Sequence, residues 1–348
     1  MKLLQKTIRS FLSMDRRARL IGLTTVAALM PMIPWGPQAW AQQSGNSGNA
    51  LSVVRVRPNF YLIAGAGGNV GVQFGADGAV LVDSGSAGRS QDILAAVRKL
   101  TDQPIRYIIN TSADPEHVGG NEVIADAGRS LFPLSDTISA GIVNEMTHGG
   151  AAQVLAHEKV LMRMTAPTGQ PSPYPSIAWP SETYAQKRRY MYLNGEGIEA
   201  LHQPAAHSDG DSFVFFRKSD VIAAGDIVDT THFPVIDIGK GGSVQGELDA
   251  LNKLVELAIP AVPLVWQEGG TLIMPGHGRL YDQTDAADYR DMVTIIRDVI
   301  QDMKQRGMSL DQVKAAGPTK GWNSLYGSDA AITARFVESI YAGVPGKN

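Results

Sequence analysis

The 348-residue chain contains no cysteine. That absence excludes disulfide frameworks, thiolate zinc fingers, iron–sulfur clusters and cysteine nucleophiles, so any metal must be held by histidine and carboxylate. Aromatic residues make up only 7% and charged residues 19%, against 44% hydrophobic. This balance excludes a disordered or collagen-like chain and suffices for one large or two ordinary domains. The apolar stretch from Leu20 to Ile33 is too short, and too interrupted by Pro31 with Pro34 just beyond, for a comfortable membrane span. No internal repeat is visible at the level of sequence.

What precedes and follows that stretch gives it a different meaning. Lys2, Lys6, Arg9, Arg16, Arg17 and Arg19 stand before it against the single acid Asp15, and Ala39-Trp40-Ala41 follows it. A basic region, an apolar region and a small-residue site in that order predict an export signal over residues 1–41, cleaved after Ala41, with no stable membrane anchor afterwards. Arg16-Arg17 resembles a twin-arginine signal, with the general secretory route as the alternative. The expected location is the periplasm or the medium. Removing those residues takes six of the 31 basic and one of the 34 acidic residues, leaving a net charge of about −8. Such a chain would repel a phosphate backbone, so nucleic acid is not an expected partner and a small-molecule substrate is.

Gln42 to Ala50 is small, polar and aperiodic, a flexible linker ahead of a folded region over residues 51–348. Val53–Val56, Phe60–Ile63, Val70–Phe74 and Ala79–Val82 are short β-type runs separated by Gly and Asp-Gly turns, which predicts consecutive hairpins. Ser90 is the expected cap of a helix with Ile93, Leu94, Val97 and Leu100 on one face, and Ile105–Ile109 resumes a strand. Further strands are expected at Ile198–Leu201, Ser212–Phe216, Val221–Ala224 and Thr271–Met274. Helices are expected at Gln245–Leu257, Thr284–Arg306, Ser309–Ala315 and Ser328–Tyr341, the second presenting Tyr289, Met292, Ile295, Ile296, Val299, Ile300 and Met303. Strand-rich and mixed segments in two successive halves, each closing with helices, predict sheets packed together with helices outside. The proline-rich segment Ala166–Ser181 is expected to be an irregular loop.

Gly65-Ala66-Gly67-Gly68-Asn69-Val70-Gly71 has the glycines of a dinucleotide loop, but strand alternation continues through Phe74 instead of the helix that such a loop requires. It is read as a hairpin connection. The chemistry lies elsewhere, in Asn110-Thr111-Ser112-Ala113-Asp114-Pro115-Glu116-His117-Val118-Gly119-Gly120-Asn121, just past a strand. This stretch resembles the N-T-H-x-H-x-D-H-x-G-G-N motif of the metallo-β-lactamase superfamily. Ser112 and Asp114 stand where that family has histidine, and Glu116 where it has aspartate. Leu81-Val82-Asp83-Ser84-Gly85, Ala156-His157-Glu158, Leu193-Asn194-Gly195-Glu196, the segment Pro204–Asp211 around His207, Ala224-Gly225-Asp226 and Met274-Pro275-Gly276-His277-Gly278 are similar to its later motifs, in its order.

The resemblance implies a mixed α/β (α+β) fold, an αββα four-layer sandwich spanning residues 51–348 with the site at one edge. It also implies two metal positions, to which the residues carry over one by one. The first would comprise Ser112, Asp114 and His207, and is degraded because a neutral serine is a poor zinc ligand. The second would comprise Glu116, His117, Asp226 and His277 and keeps four donors, with Asp226 bridging the two. One zinc per chain is expected, with manganese or iron as alternatives for a more oxygen-rich set. Glu116 or Asp114 would orient the attacking water or carry its proton. His148, His157 and His232 are expected in segments that border the cleft, with His232 a substitute donor for the first position, while His202 lies five residues before His207 on an alternating strand. The implied activity is metal-dependent hydrolysis of an ester, lactone, thioester or amide, and the alternative is a non-catalytic binding protein that keeps the fold with a degenerate site.

Overall fold

In a computed structural model, the described residues are 50–131, 150–167, 169–261 and 269–346. The expected export signal and nearly all of the linker lie outside them, as does His148. Strands β1 (Ser52–Arg57), β2 (Phe60–Ala66), β3 (Gly68–Gly75) and β4 (Gly78–Val82) form an antiparallel meander. Helix α1 (Ser90–Leu100) crosses to β5 (Ile105–Ile109), which lies parallel to β4. The short helices α2 (Pro115–Val118) and α3 (Asn121–Asp126) follow, then β6 (Gln153–His157), α4 (Glu158–Met164) and β7 (Glu182–Tyr184). These seven strands make one sheet in sequence order. The second sheet has the order β12-β11-β10-β9-β8, built from β8 (Arg188–Leu193), β9 (Glu196–His202), β10 (Ser212–Phe216), β11 (Val221–Asp229) and β12 (Leu272–His277). Helix α5 (Val244–Leu257) lies between β11 and β12. Helices α6 (Gln283–Gln305), α7 (Leu310–Ala316), α8 (Asn323–Tyr326) and α9 (Ala330–Gly343) close the chain.

Alternation along single strands creates the four layers. In β4, Val80 and Val82 face the second sheet while Ala79 and Leu81 face α1; in β10, Val214 and Phe216 face inward while Phe213 and Phe215 join the helices outside. A period of two gives each strand two apolar faces, so every strand of this kind serves two cores. Between the sheets Phe60 meets Phe216 edge-on at 4.9 Å, each ring contributing on the order of 1.5–3 kcal/mol by its burial. Ile93, Leu94 and Val97 of α1 cover the first sheet; Leu248 and Leu251 of α5, Tyr289 and Ile296 of α6 and Phe336 of α9 cover the second.

Two expectations change in detail. Ser90 is the first residue of α1 and its hydroxyl donates to the Ala87 carbonyl, so the cap position belongs to Arg89. The buried stripe of α6 takes Val293 in place of Ile295, which is 46% exposed. The proline-rich segment is irregular apart from a single turn at Ser176–Ala178. Strands β6 and β7 and the exposed, tyrosine-bearing β8 were not anticipated. The hairpin between β8 and β9 turns on Asn194-Gly195, both with positive φ, the conformation a two-residue turn demands. Asn194 also exchanges hydrogen bonds with Asp77 in the turn before β4: Asp77 N donates to Asn194 Oδ1 (2.8 Å) and Asn194 N to Asp77 Oδ2 (2.7 Å). The two sheets are thus clasped at that end.

The first turn of α5 carries a costly group. Glu247 is fully buried and neither carboxylate oxygen has a hydrogen-bond partner. Burial, reinforced by the negative field of Asp211, holds its pKa well above the ordinary value of 4.5, so it is kept as a neutral acid. The unfolded chain would release that proton at its ordinary pKa and the folded chain only at higher pH, so stability falls as pH rises through this interval. We expect Glu247→Gln to lose less thermal stability than wild type between pH 5 and 8, with each kcal/mol recovered raising the midpoint by about 2–4 °C. Melting curves across that range measure it; parallel pH profiles would show that Glu247 is ionised in the fold.

Candidate metal centre

The site forms where the segments after β4, β5 and β9 meet the middle of β11 and the end of β12. The first holds Asp83, a non-glycine residue at φ 63°, whose backbone conformation is costly unless its surroundings fix it. They do. Its carboxylate accepts from Thr111 N (2.7 Å), Thr111 Oγ1 (2.7 Å) and His117 Nδ1 (2.8 Å). The loop after β5 is fixed in turn by Asn110 and Asn121, where Asn121 Nδ2 donates to Asn110 Oδ1 (2.8 Å) and Asn110 Nδ2 to the His117 carbonyl (3.2 Å). This carboxylate–histidine pairing orients the ring so that Nε2 points at Asp226 Oδ1, 2.8 Å away.

Asp226 arrives from the middle of β11 through Gly225. At φ 55°, a Cβ on Gly225 would lie 2.7 Å from Thr111 Oγ1, so only glycine allows this close approach. His277 arrives at the end of β12, parallel to β11, with Nε2 3.4 Å from Asp226 Oδ1. Asn69, in the hairpin of β2 and β3, donates to the carbonyls of Pro275 (2.9 Å) and Gly278 (3.0 Å) and so braces that loop. His207 donates Nδ1–H to the Val235 carbonyl (2.6 Å) and turns Nε2 toward Asp114 Oδ2 (3.1 Å) and Asp226 Oδ2 (3.9 Å). Ser112 Oγ donates to Asp226 Oδ2 at 3.4 Å.

Two donor clusters result, His117–Asp226–His277 and Asp114–His207–Asp226, each with its ligating atoms within 4.8 Å of one another and with Asp226 common to both. The structure brings His117, Asp226 and His277 together, and Asp114 with His207. The first cluster suits a divalent ion. Bonds of about 2.1 Å in a tetrahedron set donors roughly 3.4 Å apart, the spacing found between His277 and Asp226. In the second, Asp114 Oδ1 is engaged by Lys240 Nζ at 2.6 Å. Glu116 lines the cavity and belongs to neither cluster.

The electrostatics follow from crowding opposite charges in a dry place. Burial opposes the ionised form of Asp226, yet the fields and hydrogen bonds of His117, His277 and His207 hold its pKa well below the usual carboxylate value. Burial opposes the charge on His207, but the hydrogen bond to Asp114 and the fields of Asp226, Asp211 and Asp114 prevail and push it up to about 10. His117 between two carboxylates is raised in the same way. Asp114, though partly desolvated, is lowered by His207 and Lys240 and stays ionised.

The centre opens into a cavity of about 360 Å³, whose wall includes Glu116, His232, Lys240, Ile332 and Arg335. His232 leans on Asp229 (3.4 Å) and Thr231 Oγ1 (2.8 Å) and joins neither cluster. His157 and His202 stack on each other at 3.6 Å away from the cavity wall; burial and the neighbouring His202 bring His157 down to about 4, and its Nδ1 accepts from Lys159 N to cap α4. Sequence reasoning did not find the orienting role of Asp83, nor Lys240 and Arg335. Asp83 lies in the Leu81–Gly85 motif, but its left-handed backbone is invisible in one dimension, and Lys240 sits in a glycine-flanked turn with no periodicity to mark it.

No curated protein matches the chain. Among solved structures, a double mutant of a sec-alkylsulfatase matches with TM-score 0.60 at 14% identity, over 84% of this chain and 50% of that one. A stereoselective inverting sec-alkylsulfatase from Pseudomonas sp. matches at 0.57 and 13%, over 85% and 50%. A metallo-beta-lactamase from Pontibacter korlensis matches at 0.50 and 14%, over 70% and 99%. The chain spans half the length of the alkylsulfatases it matches. At these identities the likeness is one of fold, the αββα sandwich. The family model for the metallo-beta-lactamase superfamily matches residues 63–277, the region that supplies Asp83, His117, His207, Asp226 and His277, and the chain belongs to that superfamily.

Proposed function

We propose that the protein is an exported hydrolase that works with one divalent ion, zinc in the first instance, held by His117, Asp226 and His277. The observation that carries this reading is the approach of two imidazole nitrogens to Asp226 Oδ1, at 2.8 and 3.4 Å, on the wall of an open cavity. Three protein donors with a remaining open direction are the pattern of a catalytic metal position, whereas structural ones are closed by four. When bound, the ion supplies Lewis-acid polarisation and acidifies water.

The chain's own residues divide the remaining work. Asp83 fixes the His117 ring, and Asn69 fixes the His277 loop. Asp114 is committed to His207 and Lys240, which suits it to orienting rather than proton transfer. Glu116 makes no side-chain hydrogen bond or ion pair among the described residues and faces the same cavity, so it is the carboxylate free to take a proton from water and return it to the leaving group. The substrate class is a small ester, lactone, thioester or amide. Sulfate esters belong in the assay panel because of the neighbours in fold.

Metal analysis tests the assignment. His277→Ala should release the ion, a loss beyond the roughly 10–100-fold typical of outer-shell changes, and hydrolysis should disappear with it; Ser112→Ala should retain both. Undiminished hydrolysis by His277→Ala would place the working site elsewhere, and a metal-loaded wild type inert to the whole panel would favour the binding-protein alternative.

Ion binding must also displace protons. In the metal-free protein His117 is held protonated well above its ordinary 6.5, so an ion that takes Nε2 expels a proton and apparent affinity rises with pH. We expect about a tenfold gain per pH unit for each proton expelled between pH 6 and 8. Calorimetric titration in buffers of different protonation enthalpy reads both quantities; an affinity independent of pH would contradict the ligand set.

The export reading rests on the basic, apolar and Ala39-Trp40-Ala41 order of the N-terminus. Protein recovered from a periplasmic fraction should begin at or near Gln42 on N-terminal sequencing. Intact chain in the cytoplasm would count against it.

A further inference from the structure

The second cluster is shaped like a cation position and already has a cation beside it. Lys240 Nζ lies 2.6 Å from Asp114 Oδ1 and 3.3 Å from Asp237 Oδ2, and the other oxygen of Asp114 faces His207 Nε2 at 3.1 Å. Both oxygens of Asp114 are therefore spent. We propose that the Lys240 ammonium takes the place of a first metal ion, so that this centre combines one metal position, at His117–Asp226–His277, with one fixed organic cation at Asp114.

The donor set has changed in the direction an ammonium needs. Where the superfamily motif has two histidines, this chain has Ser112 and Asp114: an imidazole lone pair is lost at one position and a carboxylate is gained at the other. A zinc ion accepts nitrogen as readily as oxygen donors, whereas an ammonium has three protons to give and seeks oxygen acceptors. The added negative charge of Asp114 is balanced by the single positive charge of Lys240. The pair is half-buried, Asp114 at 14% and Lys240 at 37% exposure, so it is screened less than a surface pair.

Lys240 is delivered by a built loop. It ends the turn Ile238–Lys240, where its N–H donates to Asp237 Oδ1 (3.0 Å) and its carbonyl accepts from Asp209 N (3.0 Å) and Arg163 Nη2 (2.6 Å). The same loop is fastened to the ligand it serves: Asp237 N donates to the His207 carbonyl at 2.9 Å, and Gly242 packs so closely on that carbonyl that any Cβ would collide with it. Lys240, His207 and Asp114 are thus set as one unit. The ammonium also lines the cavity, where a fixed positive charge favours anionic groups on a substrate or negative charge developing in its reaction.

The proposal rests on the preceding functional reading only for the count of the other ion. Chelator-stripped wild type, Lys240→Gln, Lys240→Met and Lys240→Arg, each checked for fold by circular dichroism, are equilibrated with zinc and the bound zinc per chain is measured by mass spectrometry and calorimetry. The two neutral variants should bind one zinc more per chain than wild type, and Lys240→Arg should keep the wild-type number. An unchanged number in the neutral variants, or two zinc ions in wild type, overturns the proposal. No zinc in wild type with one in the neutral variants would support it while refuting the functional reading.

Discussion

Asp226 is a carboxylate 10% exposed at the side chain and surrounded by His117, His207 and His277. Burial by itself would drive a proton onto it; the positive groups around it reverse that tendency and keep it ionised. Each of them must then be held against its own desolvation, by Asp83 behind His117, by the Val235 carbonyl behind His207, and by the braced β12 loop beneath His277. The strained φ of Asp83 and the glycine at 225 make sense as consequences of this one demand. The region concentrates stored strain and buried charge, and it is paid for by the four-layer packing around it.

Glu247 extends the same field into the core. It lies under the negative groups Asp211 and Asp226 and cannot share their charge, so it stays protonated where they ionise or partly ionise. Asp211 is intermediate: burial raises it to about 6, offset by His207 and by the hydrogen bonds from Ser208. Three buried carboxylates thus differ in ionisation by their partners: Asp226 is held ionised by histidines, Asp211 is drawn part of the way back by His207 and Ser208, and Glu247, which accepts no hydrogen bond, keeps its proton.

Much of this could be read from residues alone, and the reasons differ by element. The strands Ile105–Ile109 and Ser212–Phe216 were found to the residue because their β-branched and aromatic runs have clear ends, and α5 and α6 because periodicity over 14 and 23 residues leaves little ambiguity. Strand β8 escaped because Arg188–Leu193 is mostly exposed and carries charge and tyrosine in place of apolar alternation. At the centre, His117, His207, Asp226 and His277 were accessible through motif order, since each sits at or just after an expected strand end, although β11 runs on past Asp226 to Asp229. Lys240 was not, because its role depends on a turn that only the His207 backbone explains. Glu116 shows the converse limit: its place in the motif suggested a ligand, and its side chain lines the cavity outside both clusters.

The clasp between Asp77 and Asn194 sits at the ends of β4 and β9 away from the ligands. A sandwich stapled there resembles a book bound along one edge: its spine is kept by two turns, each giving a backbone N–H to the other's side-chain oxygen, and its free margin is the edge where the imidazoles gather. Chemical variation at the margin, including serine and aspartate at positions 112 and 114, then falls on the edge that the clasp does not hold.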